Sequence, residues 1–176
     1  MPEDGRQYEV LDGKLVLRTP ITIDELNPPL LIHQLISKLI ALRIAAWAEA
    51  QGLGSFLFAP TGVKLGARQA PEPDVLFVRA DRVEALFGRE GVQGAPDLVI
   101  EILSPGTERK DFLQKRRIYA KAGIPEYWIV DPEERSIVVL TLEASHYEDA
   151  EPVSGEQPIP TLALAGLPVK AGEIFP

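Results

Sequence analysis

The stretch Asp97-Leu98-Val99-Ile100-Glu101-Ile102-Leu103 is an almost unbroken apolar run that carries one acid near its end. A run of this length and composition predicts a buried β-strand. An ionised carboxylate inside such a strand costs several kcal/mol unless it is paired, hydrogen-bonded or bound to a metal. Glu101 therefore needs a compensating partner, and the surrounding sequence contains candidates for it.

The segments around this strand predict the rest of the fold. Thr107 is a good N-cap for a helix that runs to about residue 122, where Gly123 would end it, and residues 127–130 form another apolar strand. This α/β unit should have a right-handed crossover. The other predicted elements are a hairpin at 8–17 about an Asp-Gly turn, a long helix at 30–50, a pair of strands at 55–58 and 63–65, a strand at 75–78, a short helix at 81–87, a strand at 136–142, and an edge hairpin and tail from 143 onward.

These elements predict the fold class α/β (α+β), a mixed β-sheet flanked by helices with extra β-hairpins. The length of 176 residues predicts a single domain, residues 1–176. We find no apolar run of about 20 residues and no basic leader before an apolar segment, so we expect a cytoplasmic protein without a membrane partner.

Composition restricts the metal chemistry. The chain has no cysteine and two histidines, His33 and His146, which excludes disulfides and thiolate zinc sites and argues against a multi-histidine site. Any bound metal should therefore be a hard cation held by oxygen atoms, such as Mg²⁺ or Mn²⁺.

The net charge of −8 argues against a nucleic-acid partner, but the charge is unevenly distributed. Residues 108–121 contain six basic and two acidic side chains, so this segment carries +4 and the remainder −12. The segment is either a solvated helix face or a local patch for a polyanion, and the sequence leaves both interpretations open.

A second acid, Asp74, lies at the start of the strand predicted at 75–78. If that strand neighbours the Glu101 strand, the two carboxylates converge at one place in the sheet. Two bare carboxylates would repel each other, and one would become protonated. A divalent cation between Asp74 and Glu101 would resolve both the repulsion and the cost of burial.

Lys115 follows on the predicted helix, four residues after Asp111. Asp111 and Lys115 can form an ordinary i,i+4 ion pair on a helix surface. Alternatively, the Lys115 ammonium lies over the carboxylate pair, where it would orient an attacking water and neutralise charge that develops on a phosphate.

Four blocks in this order resemble the Uma2 family of endonucleases, which has the restriction-endonuclease-like fold and lies within the PD-(D/E)xK superfamily. The likeness covers nearly the whole chain, including 8–13 and 166–169. The blocks are Pro73-Asp74, Asp97-Leu98-Val99-Ile100-Glu101-Ile102-Leu103-Ser104-Pro105, Asp111-x-x-x-Lys115-x-x-x-Tyr119, and Gly123-Ile124-Pro125-Glu126-Tyr127-Trp128-Ile129-Val130-Asp131-Pro132.

The resemblance implies roles for individual residues. Asp74 and Glu101 would hold Mg²⁺ or Mn²⁺ together with the backbone carbonyl of Ile102. The superfamily pattern places a lysine two residues after the acid, but Leu103 stands there, so Lys115 would be its migrated replacement. The implied reaction is hydrolysis of DNA phosphodiester bonds by metal-activated water, with a homodimer if both strands are cut.

Four residues are secondary candidates for the site, and Asp111 on the predicted helix is one of them. His33 at the start of the long helix is either a site residue or a half-buried packing histidine. Glu72 would ligate a metal through water or face solvent, and solvent is favoured. Glu9 would approach the site or, in the favoured interpretation, flank a turn. The aromatic residues Tyr119, Tyr127 and Trp128 are predicted to be core residues rather than base-stacking platforms.

Two functions other than a DNA endonuclease remain open. A catalytically inactive nuclease-fold module for binding or assembly would use the carboxylates and Lys115 as a structural ion-pair cluster. A phosphohydrolase of small nucleotides would suit the acidic charge.

Overall fold

The structure is a computed structural model and describes residues 8–17, 28–89, 91–104 and 109–176, without the side chains of 28–30 and 109–111. Its strands are β1 (Tyr8–Leu11), β2 (Lys14–Leu17), β3 (Gly54–Phe58), β4 (Val63–Lys64), β5 (Val75–Arg79), β6 (Phe87–Gly88), β7 (Gly91–Gln93), β8 (Leu98–Ile102), β9 (Glu126–Asp131), β10 (Ser136–Glu143), β11 (His146–Tyr147) and β12 (Val153–Ser154). Its α-helices are α1 (Pro28–Leu39), α2 (Ala46–Ala50), α3 (Val83–Leu86) and α4 (Arg109–Ala122).

A mixed sheet with the strand order β11-β10-β9-β8-β5-β3 forms the centre, and β12 pairs with β10. The Glu101 strand, β8, is parallel to β9 and antiparallel to β5. The predicted adjacency of the Asp74 and Glu101 strands is therefore confirmed. Because Val75 pairs with Ile100, continuing the antiparallel register by one residue sets Asp74 opposite Glu101 on the same face.

Strand alternation divides the core into two layers. Leu98 and Ile100 of β8 pack on the side of the long helix, whereas Val99 packs on the side of α4 with Tyr119. Glu101 alternates with Ile100 and Ile102 and therefore points toward α4. The sheet thus carries Glu101 into a layer where side chains of α4 can reach it.

The long helix predicted at 30–50 is present as α1, a π-helical segment Ile40–Ala45, and α2. Ile36, Ile40, Ile44 and Ala48 along it are completely buried, so the helix packs as a core helix against the sheet. Residues 31–50 are nevertheless long and apolar enough to cross a membrane by length and composition alone. The expectation that no apolar stretch reaches about 20 residues is therefore wrong, whereas the expected absence of a membrane partner stays a prediction.

Most predicted elements are confirmed, with two local corrections. The hairpin turn has positive φ at Asp12 (52°) and Gly13 (77°), as an Asp-Gly turn between two strands requires. The strands predicted as a pair at 55–58 and 63–65 belong to different sheets, because β3 pairs with β5 and β4 pairs with β7. The short helix predicted at 81–87 is a 3₁₀ turn, Ala80–Arg82, followed by the single turn α3. Thr107, the predicted N-cap, lies outside the described residues.

Candidate active site

Asp74 immediately precedes β5, the strand that pairs with β8. Its Oδ2 accepts a hydrogen bond of 2.8 Å from the backbone N–H of Ile102. The same oxygen lies 3.0 Å from Nε2 of His33 on α1. The Asp74 carboxylate is buried, and these two contacts fix it beside the β8 backbone, one residue from Glu101.

Glu101 finds its compensating partners on α4. Its Oε1 accepts a hydrogen bond of 2.6 Å from the Tyr119 hydroxyl. The Lys115 ammonium lies 3.1 Å from Oε1 and 3.2 Å from Oε2. Because Lys115 and Tyr119 are four residues apart on one helix, both project from the same face of α4. One helix face therefore supplies a cation and a hydroxyl to the buried acid.

Lys115 points into the protein and is buried. Its Nζ also lies 3.5 Å from Oε2 of Glu9, so the ammonium bridges two carboxylates. This placement is the one that the migrated-lysine hypothesis requires, although the chemical role of Lys115 stays a prediction. The side chain of Asp111 lies outside the described residues, so its i,i+4 pair with Lys115 also stays a prediction.

Glu9 is a member of this cluster, and the favoured turn-flanking interpretation is wrong. It lies in β1, is 2% exposed, and its Oε2 accepts a hydrogen bond of 3.3 Å from the backbone N–H of Glu72. Glu72 is half-buried and contacts Glu9 through its backbone. The N-terminal hairpin thus brings a third carboxylate to the site, and no local sequence pattern around Glu9 predicts this contact.

His33 is half-buried and lies next to Asp74, and its role in the site stays a prediction. Nε2 faces the Asp74 carboxylate at 3.0 Å, whereas Nδ1 is buried without a hydrogen-bond partner among the described residues. The Asp74 carboxylate is therefore held by the imidazole of His33 on α1 and by the backbone N–H of Ile102 on β8.

The electrostatics of the cluster follow from three acids that share one lysine. The pKa of Glu101 is raised to about 7, and burial is the largest cause. The neighbouring Asp74 carboxylate also raises this pKa, whereas Lys115 opposes the increase. Burial opposes the charged form of Lys115, but Glu101, Glu9 and Asp74 together raise its pKa. Lys115 is thus firmly a cation, whereas the acids outnumber the positive charges near them and retain negative charge that a cation can neutralise.

The donor set fits a hard divalent ion in chemistry and charge. Asp74 and Glu101 supply carboxylate oxygens, and Mg²⁺ is commonly held by one or two carboxylates together with water and substrate phosphates. Within the described part of the chain, no three acidic or histidine side chains are gathered into a ready-made metal cage. A site of two carboxylates and a backbone carbonyl is compatible with that finding. The structure shows the Ile102 amide against Asp74, and the ligand role of its carbonyl stays a prediction.

Glu101 should make the stability of the metal-free protein depend on pH. Its folded-state pKa of about 7 exceeds the ordinary value of 4.5, so between these values the folded chain holds a proton that the unfolded chain has released. The resulting stabilisation is complete below the ordinary pKa and is lost as pH rises through the folded-state pKa. Relative to Glu101→Gln, we expect the wild type to lose about 2 kcal/mol of unfolding free energy between pH 5 and pH 8 in urea titrations. Parallel pH profiles for the two proteins would contradict this.

Three of the six basic side chains in residues 108–121 are already paired with acids of the same chain. Arg116 donates to Asp149 at 2.8 Å and Arg117 to Asp12 at 2.5 Å, and Lys115 is buried against Glu101. These three cations are therefore engaged by acids of the same chain. The choice between a solvated helix face and a local patch for a polyanion stays open, because the side chains of Arg109 and Lys110 lie outside the described residues.

Tyr119 is the site residue that sequence reasoning missed. Its ring packs edge-on against Tyr127 at 5.2 Å, which agrees with the predicted core role, but its hydroxyl also binds Glu101. The spacing of four residues from Lys115 was the available signal.

Comparison with known proteins agrees with this fold. The family model "Uma2: Putative restriction endonuclease" matches residues 1–171. A crystal structure described as a "putative nuclease belonging to DUF820" from Anabaena variabilis ATCC 29413 superposes with a TM-score of 0.75 at 18% identity, covering 99% of this chain and 93% of that one. At this identity the likeness establishes the fold. No curated protein matches. The chain belongs to the Uma2 family, which is described as "Putative restriction endonuclease".

Proposed function

We propose that this protein is a divalent-metal-dependent endonuclease that hydrolyses phosphodiester bonds of DNA. The observation that carries the proposal is the register that pairs Val75 with Ile100 and sets Asp74 beside Glu101 on neighbouring strands, with the Lys115 ammonium 3.1 Å from Glu101. Metal-assisted hydrolysis of a phosphodiester needs carboxylates that hold the ion and a cation near the phosphate. The two buried carboxylates and Lys115 lie close enough together to supply these groups.

In this proposal Asp74 and Glu101, with the carbonyl of Ile102, would hold Mg²⁺ or Mn²⁺. The ion would lower the pKa of a water and stabilise charge on the phosphate. His33 and the Ile102 amide keep the Asp74 carboxylate in place. Tyr119 and Lys115 fix the Glu101 carboxylate from the opposite side, so neither acid has to reorganise on binding.

Lys115 has a second task in the proposed reaction. Its ammonium carries three donors, and two of its contacts are to Glu101 and Glu9. Where one N–H is shared between Oε1 and Oε2 of Glu101, a third N–H would be left to orient a water or donate to a phosphate oxygen while the ion pair persists. The positive charge would then favour the more negative transition state over the bound substrate.

One observation also favours the alternative of a catalytically inactive module. Lys115 already pairs with Glu101 and Glu9, as a purely structural ion-pair cluster would require. The two functions differ in two properties, because a structural cluster needs no metal and cuts nothing.

The test is a cleavage assay with several substrates in parallel. Pure protein is incubated with supercoiled plasmid, single-stranded DNA, RNA and free nucleotides, in Mg²⁺, in Mn²⁺ and in excess chelator. We expect plasmid to be cut in either metal and to stay intact in chelator. Linear plasmid as the first product would favour a homodimer that cuts both strands. Hydrolysis of free nucleotides alone would select the small-nucleotide phosphohydrolase, and no hydrolysis of any substrate would select the inactive module.

A further inference from the structure

A cavity of about 260 Å³ opens next to Asp74 on the α1 side of the sheet. Asp74 forms part of its wall, with Phe58 and Ala59 from the end of β3. Asp74 therefore belongs both to the carboxylate cluster and to this cavity. The polar wall comes from α1, and its side chains are His33, Gln34, Ser37 and Lys38.

The α1 wall has the spacing of a single helix face. Gln34, Ser37 and Lys38 are related by steps of three and four residues, so their side chains are neighbours. Lys38 is exposed and has no ion-pair partner among the residues that the structure describes. It differs in this from Arg116 and Arg117 on α4, which acids of the chain engage. The cavity beside Asp74 thus contains a cation that is available to a ligand.

The chemistry of this wall suits a phosphate group. An ammonium, a hydroxyl and an amide nitrogen are all donors that proteins direct at phosphate oxygens, and contacts of this kind position a nucleic acid without reading its sequence. The volume lies just below the range of about 300–1,000 Å³ that is usual for pockets enclosing a whole small molecule. A cavity of this size fits one segment of a polymer better than an enclosed free ligand.

We propose that the α1 face formed by Gln34, Ser37 and Lys38 binds a backbone phosphate of DNA next to the one that is cut. Lys38 makes the charged contact, and the neighbouring phosphate is thereby delivered to Asp74 and Glu101. This inference rests on the proposed endonuclease function and adds the substrate path to it. It also explains how a chain of net charge −8 can hold a polyanion, because a local cation at the site acts at short range.

Lys38→Ala tests the contact through binding and kinetics. Binding of a fluorescent DNA duplex is measured by anisotropy in chelator at several salt concentrations, and steady-state cleavage is measured in Mg²⁺. We expect Lys38→Ala to weaken binding about threefold to tenfold on any sequence and to reduce the salt dependence by about one phosphate contact. In cleavage, KM should rise while kcat changes little, since the contact is present before and during the reaction. Lys38→Arg should retain most of the affinity.

Lys64→Ala is the matched control, because Lys64 is an exposed lysine on β4 outside the cavity. It should bind and cut as the wild type does. Equal affinity of Lys38→Ala, Lys64→Ala and wild type would overturn the phosphate contact, even if cleavage is intact. Salt-dependent binding that is weakened by Lys38→Ala, without cleavage by any of the proteins, would refute the nuclease and leave the contact standing. A wild type that binds no DNA would overturn both.

Discussion

Glu101→Gln is expected to lower metal-dependent cleavage of plasmid by about a hundredfold to a thousandfold while the protein stays folded. Glutamine keeps the shape of the side chain, and its carbonyl oxygen can still accept a hydrogen bond from the Tyr119 hydroxyl. It removes the anionic oxygens that would hold the ion beside Asp74. The loss should appear in kcat/KM measured at the Mg²⁺ concentration that saturates the wild type, and a higher metal concentration should recover part of it.

A control variant separates this loss from a general change in charge. Glu84→Gln alters an exposed acid on α3 and should cut like the wild type. Urea unfolding near neutral pH should show that Glu101→Gln remains cooperatively folded. If Glu101→Gln and Glu84→Gln cut equally well, Glu101 has no part in catalysis and the site assignment fails.

Glu126→Ala is expected to lower the free energy of unfolding by about 4 kcal/mol, although Glu126 lies outside the proposed site. The Glu126 carboxylate is 1% exposed and accepts four hydrogen bonds. The donors are Trp128 Nε1 at 2.6 Å, the Thr161 hydroxyl at 2.6 Å, and the backbone N–H groups of Leu162 at 2.7 Å and Ala163 at 3.0 Å. Alanine would leave these donors without a partner, at about 1–3 kcal/mol each before relaxation and water entry.

The measurement is urea unfolding followed by tryptophan fluorescence. Glu151→Ala serves as the control, because Glu151 is exposed and should change stability by less than about 0.5 kcal/mol. Glu126 joins β9 to the segment around Thr161, so the variant should also loosen the C-terminal residues toward proteolysis. A Glu126→Ala protein as stable as Glu151→Ala would show that this carboxylate does not hold the C-terminal segment in place.

The sequence predicts well what depends on local pattern. The apolar run around Glu101 predicts β8, and the stop signal predicts the end of α4 at Gly123, where φ is 77°. Alternation along the strands predicts which face carries Asp74 and Glu101. Because Lys115 lies shortly after β8 on the returning helix, its approach to Glu101 also follows from local connectivity.

The contacts that pattern could not predict come from distant segments. Glu9 arrives from the N-terminal hairpin and binds Lys115 across β1 and α4, and nothing near Glu9 in the sequence indicates this. Glu126 is one acid in an apolar strand, much like Glu101, yet its partners are a tryptophan two residues away and the backbone near Thr161. The alternation of side chains along a strand predicts that an acid is buried. Whether hydrogen bonds, an ion pair or a metal offsets the cost of burying its charge depends on which distant segments the fold brings to it.

The most direct test of the site is the anomalous scattering of manganese in crystals of the wild-type protein and of Glu101→Gln, each soaked in Mn²⁺. We predict an anomalous peak that contacts the carboxylates of both Asp74 and Glu101 in the wild type, and its loss or marked weakening in the variant. No peak at these carboxylates, with Lys115 still paired to Glu101, would contradict the proposed metal site and leave the cluster as a structural ion pair.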